Sequence, residues 1–301
     1  MKKVLITGGT GLIGQHLIPF LKAKGFEVGV LSRKPLKNSP CKSHIWDLIN
    51  NEIDDEVLNY EIIIHLAGAG IADKRWTASR KTVLRESRVD ATLFLLEKFT
   101  QAGKSPKAFI SASGIAYYGM DTGSKEVDEN TIPGSDFLAG LTTDWEKAAD
   151  RFLEIGSKVV KIRTGVVLTP KGGALEKLLT PAKFGIASAL GSGKQYMSWI
   201  HINDLCEIYL SAIHSEASGT YNGVSPFPEN NRNFMKKISR TLNKPFFMPA
   251  VPSFALKLGL GEMAYMILGG NKVVPKNILE QGFNFQYPNL DDALENLLSK
   301  S

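Results

Sequence analysis

Three glycines near the start of the chain have the type and spacing to hold a phosphate group. Gly8, Gly11 and Gly14 stand three residues apart. Glycine at the first position permits a tight turn, and at the second it lets backbone N–H groups approach an anion closely. At the third it lets a helix pack closely against a strand. The spacing therefore predicts an anion-binding turn, and a purely structural turn is the alternative.

The residues on either side of this turn predict the elements that position it. Residues 4–6 are apolar and mostly β-branched, as in a strand that is buried on both faces. Residues 16–24 have apolar side chains at helical spacing, and Gly25 ends that helix. A strand, a glycine turn and a helix in this order place a dinucleotide pyrophosphate at the helix N-terminus. The first residues of the chain thus predict a dinucleotide-binding site.

The end of the second predicted strand indicates which dinucleotide is bound. Residues 26–31 form that strand, and Ser32, Arg33 and Lys34 follow it. Sites selective for NAD usually carry Asp or Glu here, which binds the ribose 2′-hydroxyl. Arg33 can instead pair with a 2′-phosphate through charge-assisted hydrogen bonds. This favours NADP(H), and two solvated loop cations are the alternative.

The composition argues against several other classes of protein. The chain has 301 residues, of which 43% are hydrophobic and 22% charged, with a formal net charge of +6 and two cysteines. These totals suit an α/β cofactor domain with a smaller attached region, and they offer no disulfide framework. The sequence has no dense run of Lys and Arg, no zinc-ligand spacing and no apolar run of about 18 residues. We expect a cytoplasmic protein with a small-molecule substrate and without a metal, a nucleic-acid partner or a membrane segment. The oligomeric state is left open.

Strand and helix patterns alternate over the first 169 residues. Further strands are predicted at 44–46, 61–66, 107–113 and 159–168, and helices at 78–102 and 136–155. After residue 169 the alternation lapses, and it resumes over 199–224. We therefore predict an α/β fold, a Rossmann-type doubly wound parallel sheet with a smaller C-terminal substrate lobe. The predicted sheet domain comprises 1–169 plus 199–224, and the lobe comprises 170–198 plus 225–301.

Several motifs resemble those of one enzyme family. The Gly-x-x-Gly-x-x-Gly turn, the Ser-x-x-x-Tyr segment at 113–119 and the Trp-x-His segment at 199–201 resemble the epimerase-family branch of extended and atypical short-chain dehydrogenases/reductases. Members of this branch carry a C-terminal domain of unknown function, and their labels range from nucleotide-sugar epimerase to cell-division inhibitor. The resemblance extends over almost the whole chain. It implies an NADP(H)-dependent oxidoreductase or epimerase that transfers hydride to or from a small polar or nucleotide-linked substrate.

The resemblance also implies a set of site residues. Ala67 and Gly68 follow a strand as in the cofactor turn of these enzymes, and Arg88 stands where the family has an arginine at the cofactor. A solvated helix face shared with Arg85 is the alternative for Arg88. The implied cofactor-binding residues are Gly8, Thr10, Gly11, Leu12, Ile13, Gly14, Ser32, Arg33, Leu66, Ala67, Gly68, Arg88 and Val167. The implied catalytic residues are Ser113, Tyr117 and Tyr118. Asp204 is expected to cap the helix that ends near residue 213.

One departure from the family pattern limits the chemistry. These reductases use Tyr-x-x-x-Lys, in which the lysine lowers the tyrosine pKa so that the tyrosine can relay a proton. None of the eight tyrosines has a lysine four residues on, and Phe137 and Leu141 stand in the place of the motif. Tyr117 or Tyr118 could substitute, or the two could form a packing pair under the cofactor. A second function therefore also fits, that of an NADP(H)-binding sensor or interaction module that has lost turnover.

Replacing Arg33 tests the predicted cofactor preference. We expect tighter binding of NADPH than of NADH, and we expect Arg33→Ala to remove the difference because the 2′-phosphate loses a charged partner. The loss in NADPH binding should be on the order of 1.5–3 kcal/mol, with little change for NADH. Titration with both cofactors, followed by fluorescence, measures the effect. Equal affinities in the wild type would show that the 2′-phosphate is not bound here.

Overall fold

The computed structural model describes residues 2–36 and 41–299, so residues 1, 37–40 and 300–301 of the predicted domains lie outside the described part. Within it the strands are β1 (Lys3–Thr7), β2 (Glu27–Ser32), β3 (Lys42–Asp47), β4 (Glu52–Ile53), β5 (Ile62–His65), β6 (Ala108–Gly114), β7 (Glu126–Val127), β8 (Lys158–Thr164), β9 (Val166–Leu168), β10 (Tyr196–Met197), β11 (Trp199–His201), β12 (Gly219–Gly223), β13 (Glu229–Asn230) and β14 (Lys272–Val273).

The α-helices of the same residues are α1 (Leu12–Ala23), α2 (Ala78–Arg85), α3 (Ala91–Gln101), α4 (Phe137–Asp150), α5 (Gly173–Lys183), α6 (Ile202–His214), α7 (Asn231–Thr241), α8 (Ser253–Leu260), α9 (Tyr265–Leu268), α10 (Lys276–Glu280) and α11 (Leu290–Leu298). Short 3₁₀ turns occupy Asp55–Asn59, Ile115–Tyr118, Arg151–Ile155 and Gly261–Ala264. One π turn, Glu86–Asp90, joins α2 to α3 within the predicted helix 78–102. None of the helices in 2–36 and 41–299 has the length and apolar character to cross a bilayer.

The central feature is an eight-stranded sheet in the order β12-β8-β6-β5-β1-β2-β3-β4. Neighbouring strands are parallel, except that β3 and β4 are antiparallel. From β1 the chain first builds outwards through β2 and β3, and then crosses back to add β5 on the other side of β1. This confirms the predicted Rossmann-type doubly wound sheet. Ligands of such sheets bind at the carboxyl ends of the strands where the order reverses, here between β1 and β5.

Two apolar layers cover the sheet. On one face β1 packs with α1 and α6 through residues such as Leu17 and Ile208. On the other face Phe109 of β6 stacks on Phe152, with ring centroids 3.7 Å apart, beside Phe99 of α3. A third cluster joins α5, α7 and α11, which belong to the predicted lobe. The domain boundaries themselves remain a prediction.

The predicted strand 159–168 is in fact two strands, divided at Gly165. A Cβ at Gly165 would lie 2.4 Å from the backbone oxygen of Ser198. The chain can pass this close to residue 198 only with glycine, and it then leaves the main sheet. Beyond this point β9 pairs in parallel with β11 instead.

The predicted role of Asp204 is wrong. His201 caps α6, because its Nδ1 accepts a hydrogen bond from the backbone N–H of Asn203 at 3.1 Å. The buried Asp204 carboxylate instead accepts the backbone N–H groups of Gln286 and Tyr287, at 2.8 and 3.0 Å. Asp204 therefore fixes the chain ahead of α11 to the end of the sheet domain.

Two glycine-to-alanine changes test the packing at the strand break. Gly165→Ala should destabilise the fold by about 2 kcal/mol or more, because the new methyl group overlaps the Ser198 carbonyl and forces the backbone apart. Gly140→Ala is the control, since a Cβ there has open space in an α4 position. It should stabilise the protein by roughly 0.5–1 kcal/mol. Urea denaturation of both variants measures the difference, and equal effects would contradict the close approach.

Candidate functional site

The glycine turn between β1 and α1 is shaped to leave helix N–H groups uncovered. Gly8 has a φ of +69°, and a Cβ there would lie 2.8 Å from the carbonyl carbon of Leu66. Gly11 is the N-terminal cap residue of α1, and none of the described side chains caps that helix. A Cβ at Gly14 would lie 2.6 Å from the Cα of Gly9. The turn therefore fits an anion at the start of α1, and any side chain at Gly8 or Gly14 would disturb it.

The residues after the turn bring a distant segment next to it. Leu12 packs against the start of α5, since a Cβ at Gly173 would lie 2.9 Å from Leu12 Cδ2 and 3.9 Å from the Val167 oxygen. Ile13 and Val167 pack, partly buried, on the same apolar cluster of the sheet. The fold thus brings Val167 next to Leu12 and Ile13, which precede it by more than 150 residues. Thr10 remains exposed at the outer side of the turn.

The end of β2 lies beside this turn, because Thr7 is in register with Leu31. Ser32 donates a hydrogen bond from Oγ to the Lys34 carbonyl at 2.6 Å, which shapes the loop that follows. Arg33 is exposed on that loop. A cation therefore stands where an acidic residue would select against a 2′-phosphate.

A buried histidine positions the loop after β5. Thr7 Oγ1 lies 2.9 Å from His65 Nδ1 and accepts the backbone N–H of Ala67 at 3.1 Å. Burial lowers the pKa of His65 to about 3, so the imidazole is neutral. His65 is therefore a structural residue that holds Leu66, Ala67 and Gly68 at the switch point.

Arg88 lies beneath that loop. A Cβ at Gly68 would lie 3.0 Å from the guanidinium carbon of Arg88. The Arg88 guanidinium donates a hydrogen bond to the Leu84 carbonyl at 3.2 Å and makes a cation–π contact with Trp145, and neither of these partners is a carboxylate. Burial lowers the pKa of Arg88 to about 10, so it still carries a positive charge at neutral pH. Arg85, by contrast, is exposed and pairs with Asp90 at 2.7 Å.

The Ser113 hydroxyl donates a hydrogen bond to one member of a buried ion pair. Its Oγ donates to Glu146 Oε1 at 2.6 Å. The Arg163 guanidinium donates from Nε and Nη2 to the two oxygens of Glu146, both at 2.8 Å. Sequence analysis did not identify this pair, although Glu146 is an acidic residue among the buried positions of α4, and that was the available signal. The pair sets the direction of the Ser113 hydroxyl.

The two tyrosines have different surroundings. Tyr118 is buried, donates to Asn222 Oδ1 at 2.7 Å and accepts from Arg163 Nη1 at 3.1 Å. Burial raises the pKa of Tyr118 to about 12. Tyr117 is only partly buried, and its ring centroid lies 3.3 Å from the guanidinium carbon of Arg163. The Tyr117 hydroxyl has no such hydrogen-bond partners among the described residues.

The position of the missing Tyr-x-x-x-Lys motif is filled by apolar packing. Phe137 meets Trp76 edge to face, with ring centroids 5.7 Å apart. Leu141 is buried in the same cluster, together with Leu84 and Met263. A lysine in place of Leu141 would be enclosed by hydrocarbon.

Arg75 and Lys81 connect this region to the C-terminal part of the chain. Arg75 Nη2 donates to the carbonyl oxygens of Leu258 and Gly259, at 3.2 and 2.7 Å, near the C-terminal end of α8. Lys81 forms an ion pair of 2.7 Å with Glu262. A cation is stabilised at the negative, C-terminal end of a helix, so the contact of Arg75 with α8 has a structural explanation.

One group of possible metal ligands occurs among the described residues, formed by His44, Asp54 and Glu56. Its imidazole bonds to Asp54 at 2.7 Å and to the Tyr60 hydroxyl at 2.9 Å, so both ring nitrogens have partners. Glu56 is paired with Lys42. These contacts account for the cluster as a hydrogen-bonded group at the edge of the sheet.

The uncovered helix N-terminus at the switch point and the Rossmann-type sheet define the short-chain dehydrogenase/reductase class of fold. The chain belongs to the NAD dependent epimerase/dehydratase family, which it matches over residues 4–145, and residues 251–297 match a domain of unknown function, DUF1731. It is 37% identical to epimerase family protein SAR0825 of Staphylococcus aureus over 302 residues, which covers 100% of both chains. The resemblance inferred from the motifs is thus confirmed.

Two solved structures have the same fold over nearly all of this chain. Human epimerase family protein SDR39U1, crystallised with NADPH, is 32% identical, with a TM-score of 0.88 over 99% of this chain and 100% of that one. A nucleoside-diphosphate sugar epimerase from Corynebacterium glutamicum is also 32% identical, with a TM-score of 0.81. That match covers 100% of this chain and 59% of the bacterial one.

Removing the buried carboxylate tests the ion pair. Glu146→Gln should lower the free energy of unfolding by about 3–5 kcal/mol, because Arg163 is left buried without a counter-charge. Glu154→Gln is the control: its pair with Arg151 is 3.2 Å long but more than half exposed, so the loss should stay below about 1 kcal/mol. Denaturant unfolding of both variants measures the contrast. A similar loss in both would mean that the Glu146 pair carries no special stability.

Proposed function

We propose that the protein binds NADP(H) and transfers hydride between the nicotinamide and a small substrate. The observation that carries the proposal is the pair of cations beside an uncovered helix N-terminus, with Arg33 at the end of β2 and Arg88 beneath the loop after β5. Anionic groups of a dinucleotide complement both the helix end and the cations. The human relative crystallised with NADPH supports the choice of cofactor.

We assign different parts of the cofactor to different residues. Gly8, Thr10, Gly11 and Gly14 would bind the pyrophosphate, and Ser32 with Arg33 the 2′-phosphate. Leu12, Ile13, Leu66, Ala67, Gly68, Arg88 and Val167 would enclose the nicotinamide half. When bound, NADPH supplies a hydride. The contribution of the chain is to position it at the carboxyl ends of β5 and β6.

Proton transfer is the weak part of this site. The Ser113 hydroxyl donates its hydrogen bond to Glu146 and the Tyr118 hydroxyl to Asn222, so neither hydrogen is free for a substrate oxygen. Tyr117 is then the remaining donor of the three predicted catalytic residues. Leu141 stands where the family has the lysine that lowers the pKa of its catalytic tyrosine, so this chain lacks that contribution to proton transfer. We infer a slow reductase for substrates that need a proton in the transition state.

A second function is favoured by the same apolar packing. Phe137 and Leu141 leave the cofactor turn intact while they remove the usual proton relay. An NADP(H)-binding sensor or interaction module would keep the turn and not need the relay.

Assays with NADPH and a panel of aldehydes, ketones and nucleotide sugars separate these functions. Turnover should be slower than in relatives with Tyr-x-x-x-Lys by roughly 10²–10⁴, the usual contribution of general acid–base catalysis. Tyr117→Phe should abolish most of it, because it removes the remaining donor. Tyr118→Phe, with the same loss of one hydroxyl, serves as the matched comparison and should act mainly on stability. Tight NADPH binding with no turnover on the panel favours the sensor, and fast turnover that survives Tyr117→Phe would contradict the proton assignment.

A further inference from the structure

The side chains around the missing motif form an apolar wall. Its partly exposed members come from the loop after β5, the segment after β6, the start of α4 and the end of α8. They are Ala69, Ile71, Ala116, Met120, Phe137 and Leu260. Behind them lie the buried Trp76 and Met263.

The wall stands next to the loops that would hold the nicotinamide. Ala69 directly follows Gly68, and Ala116 comes three residues after Ser113 at the end of β6. Phe137 occupies the place of the usual catalytic tyrosine. If the cofactor binds as proposed, the wall is therefore the surface that a substrate meets.

A nucleotide-linked substrate, which the family resemblance favours, suits this surface poorly. A diphosphate needs cations or free N–H groups. Three nearby cations already have partners: Arg75 of the adjoining loop binds the α8 carbonyls, Arg80 of α2 the carbonyl of Gly70, and Lys81 of α2 the carboxylate of Glu262. Lys81 Nζ also lies 5.0 Å from the centroid of the Phe137 ring. An apolar, planar substrate would instead bury its faces against Phe137 and its neighbours.

The supply of protons at the site also bears on which class of carbonyl substrate can be reduced. Reduction of an ordinary ketone produces a strongly basic alkoxide, so the transition state depends on a proton donor. Reduction of a quinone produces a hydroquinone anion, which is delocalised and much less basic. The hydroxyls of Ser113 and Tyr118 donate their hydrogen bonds to other protein groups. The resulting lack of a proton donor slows the reduction of a ketone but not that of a quinone.

We propose that the substrate class is a planar quinone that binds against the apolar wall, an inference that rests on the proposed NADP(H) binding. The quinone accepts the hydrogen and the electron pair of the C4–H bond of bound NADPH and is reduced to a hydroquinone monoanion. The nicotinamide is oxidised to NADP⁺. The monoanion then takes up one proton from the solvent, so that NADPH, quinone and one H⁺ give NADP⁺ and hydroquinone.

NADPH oxidation with 2-methyl-1,4-naphthoquinone and 9,10-phenanthrenequinone tests this, with acetophenone and UDP-glucose as comparisons. We expect kcat/KM for the quinones to exceed that for both comparisons by at least 100-fold. Quenching of tryptophan fluorescence by the naphthoquinone in the presence of NADP⁺ measures binding without turnover, since Trp76 lies directly behind the wall.

Matched leucine variants test the location. Leu260→Ala should raise the quinone KM and its dissociation constant at least fivefold, because Leu260 belongs to the wall. Leu258→Ala, on the same helix but with its residue 81% exposed, should leave both unchanged. Phe137→Ala should act like Leu260→Ala, and the NADPH dissociation constant should stay within twofold in all three variants.

The outcomes separate this inference from the proposed function. NADPH binding without quinone reduction, or a preference for UDP-glucose or the ketone, overturns the quinone assignment and leaves NADP(H) binding intact. Quinone reduction that is equally sensitive to Leu258→Ala and Leu260→Ala overturns the assigned surface. Failure to bind NADPH overturns the proposed function and, with it, the inference.

Discussion

The buried ion pair between Arg163 and Glu146 is the interaction on which the rest of the site depends. Both side chains are at least 93% buried. Two charges removed from water are stable only when their hydrogen-bonding groups are satisfied. Arg163 meets this condition with two bonds to Glu146, one to Tyr118 and the face of Tyr117. The orientations of α4, β6, β8 and the segment after β6 are therefore not independent of one another.

The same network extends to the C-terminal part of the chain. Tyr118 bonds to Asn222 of β12, whose side-chain amide donates to the Val274 carbonyl at 2.9 Å. Glu129 accepts the backbone N–H groups of Asn222 and Asn277, and burial raises the pKa of that carboxyl. The sheet and the C-terminal segment are thus connected by buried polar groups, which tolerate misalignment less well than apolar packing does.

Features that depend on local sequence could be predicted, and features that depend on distant partners could not. Gly8, Gly11 and Gly14 lie within one turn, and their spacing carries the necessary information. The strand break at Gly165 depends on the carbonyl of Ser198, which no pattern near residue 165 reveals. Asp204 has the sequence context of a helix cap, yet its partners stand 82 and 83 residues further along the chain. The direction of the Ser113 hydroxyl likewise depends on α4, so a serine at the right position did not reveal what it contacts.

The contact of Arg75 with α8 has a consequence for how this chain can vary. Its partners are main-chain carbonyls that stand 183 and 184 residues away in the sequence. Every amino acid has a carbonyl, so residues 258 and 259 can be replaced over evolutionary time while the bond persists. Comparison of aligned sequences would then show no correlated changes between these positions and residue 75. The hydrogen bonds thus connect two parts of the chain without restricting which amino acids stand at positions 258 and 259.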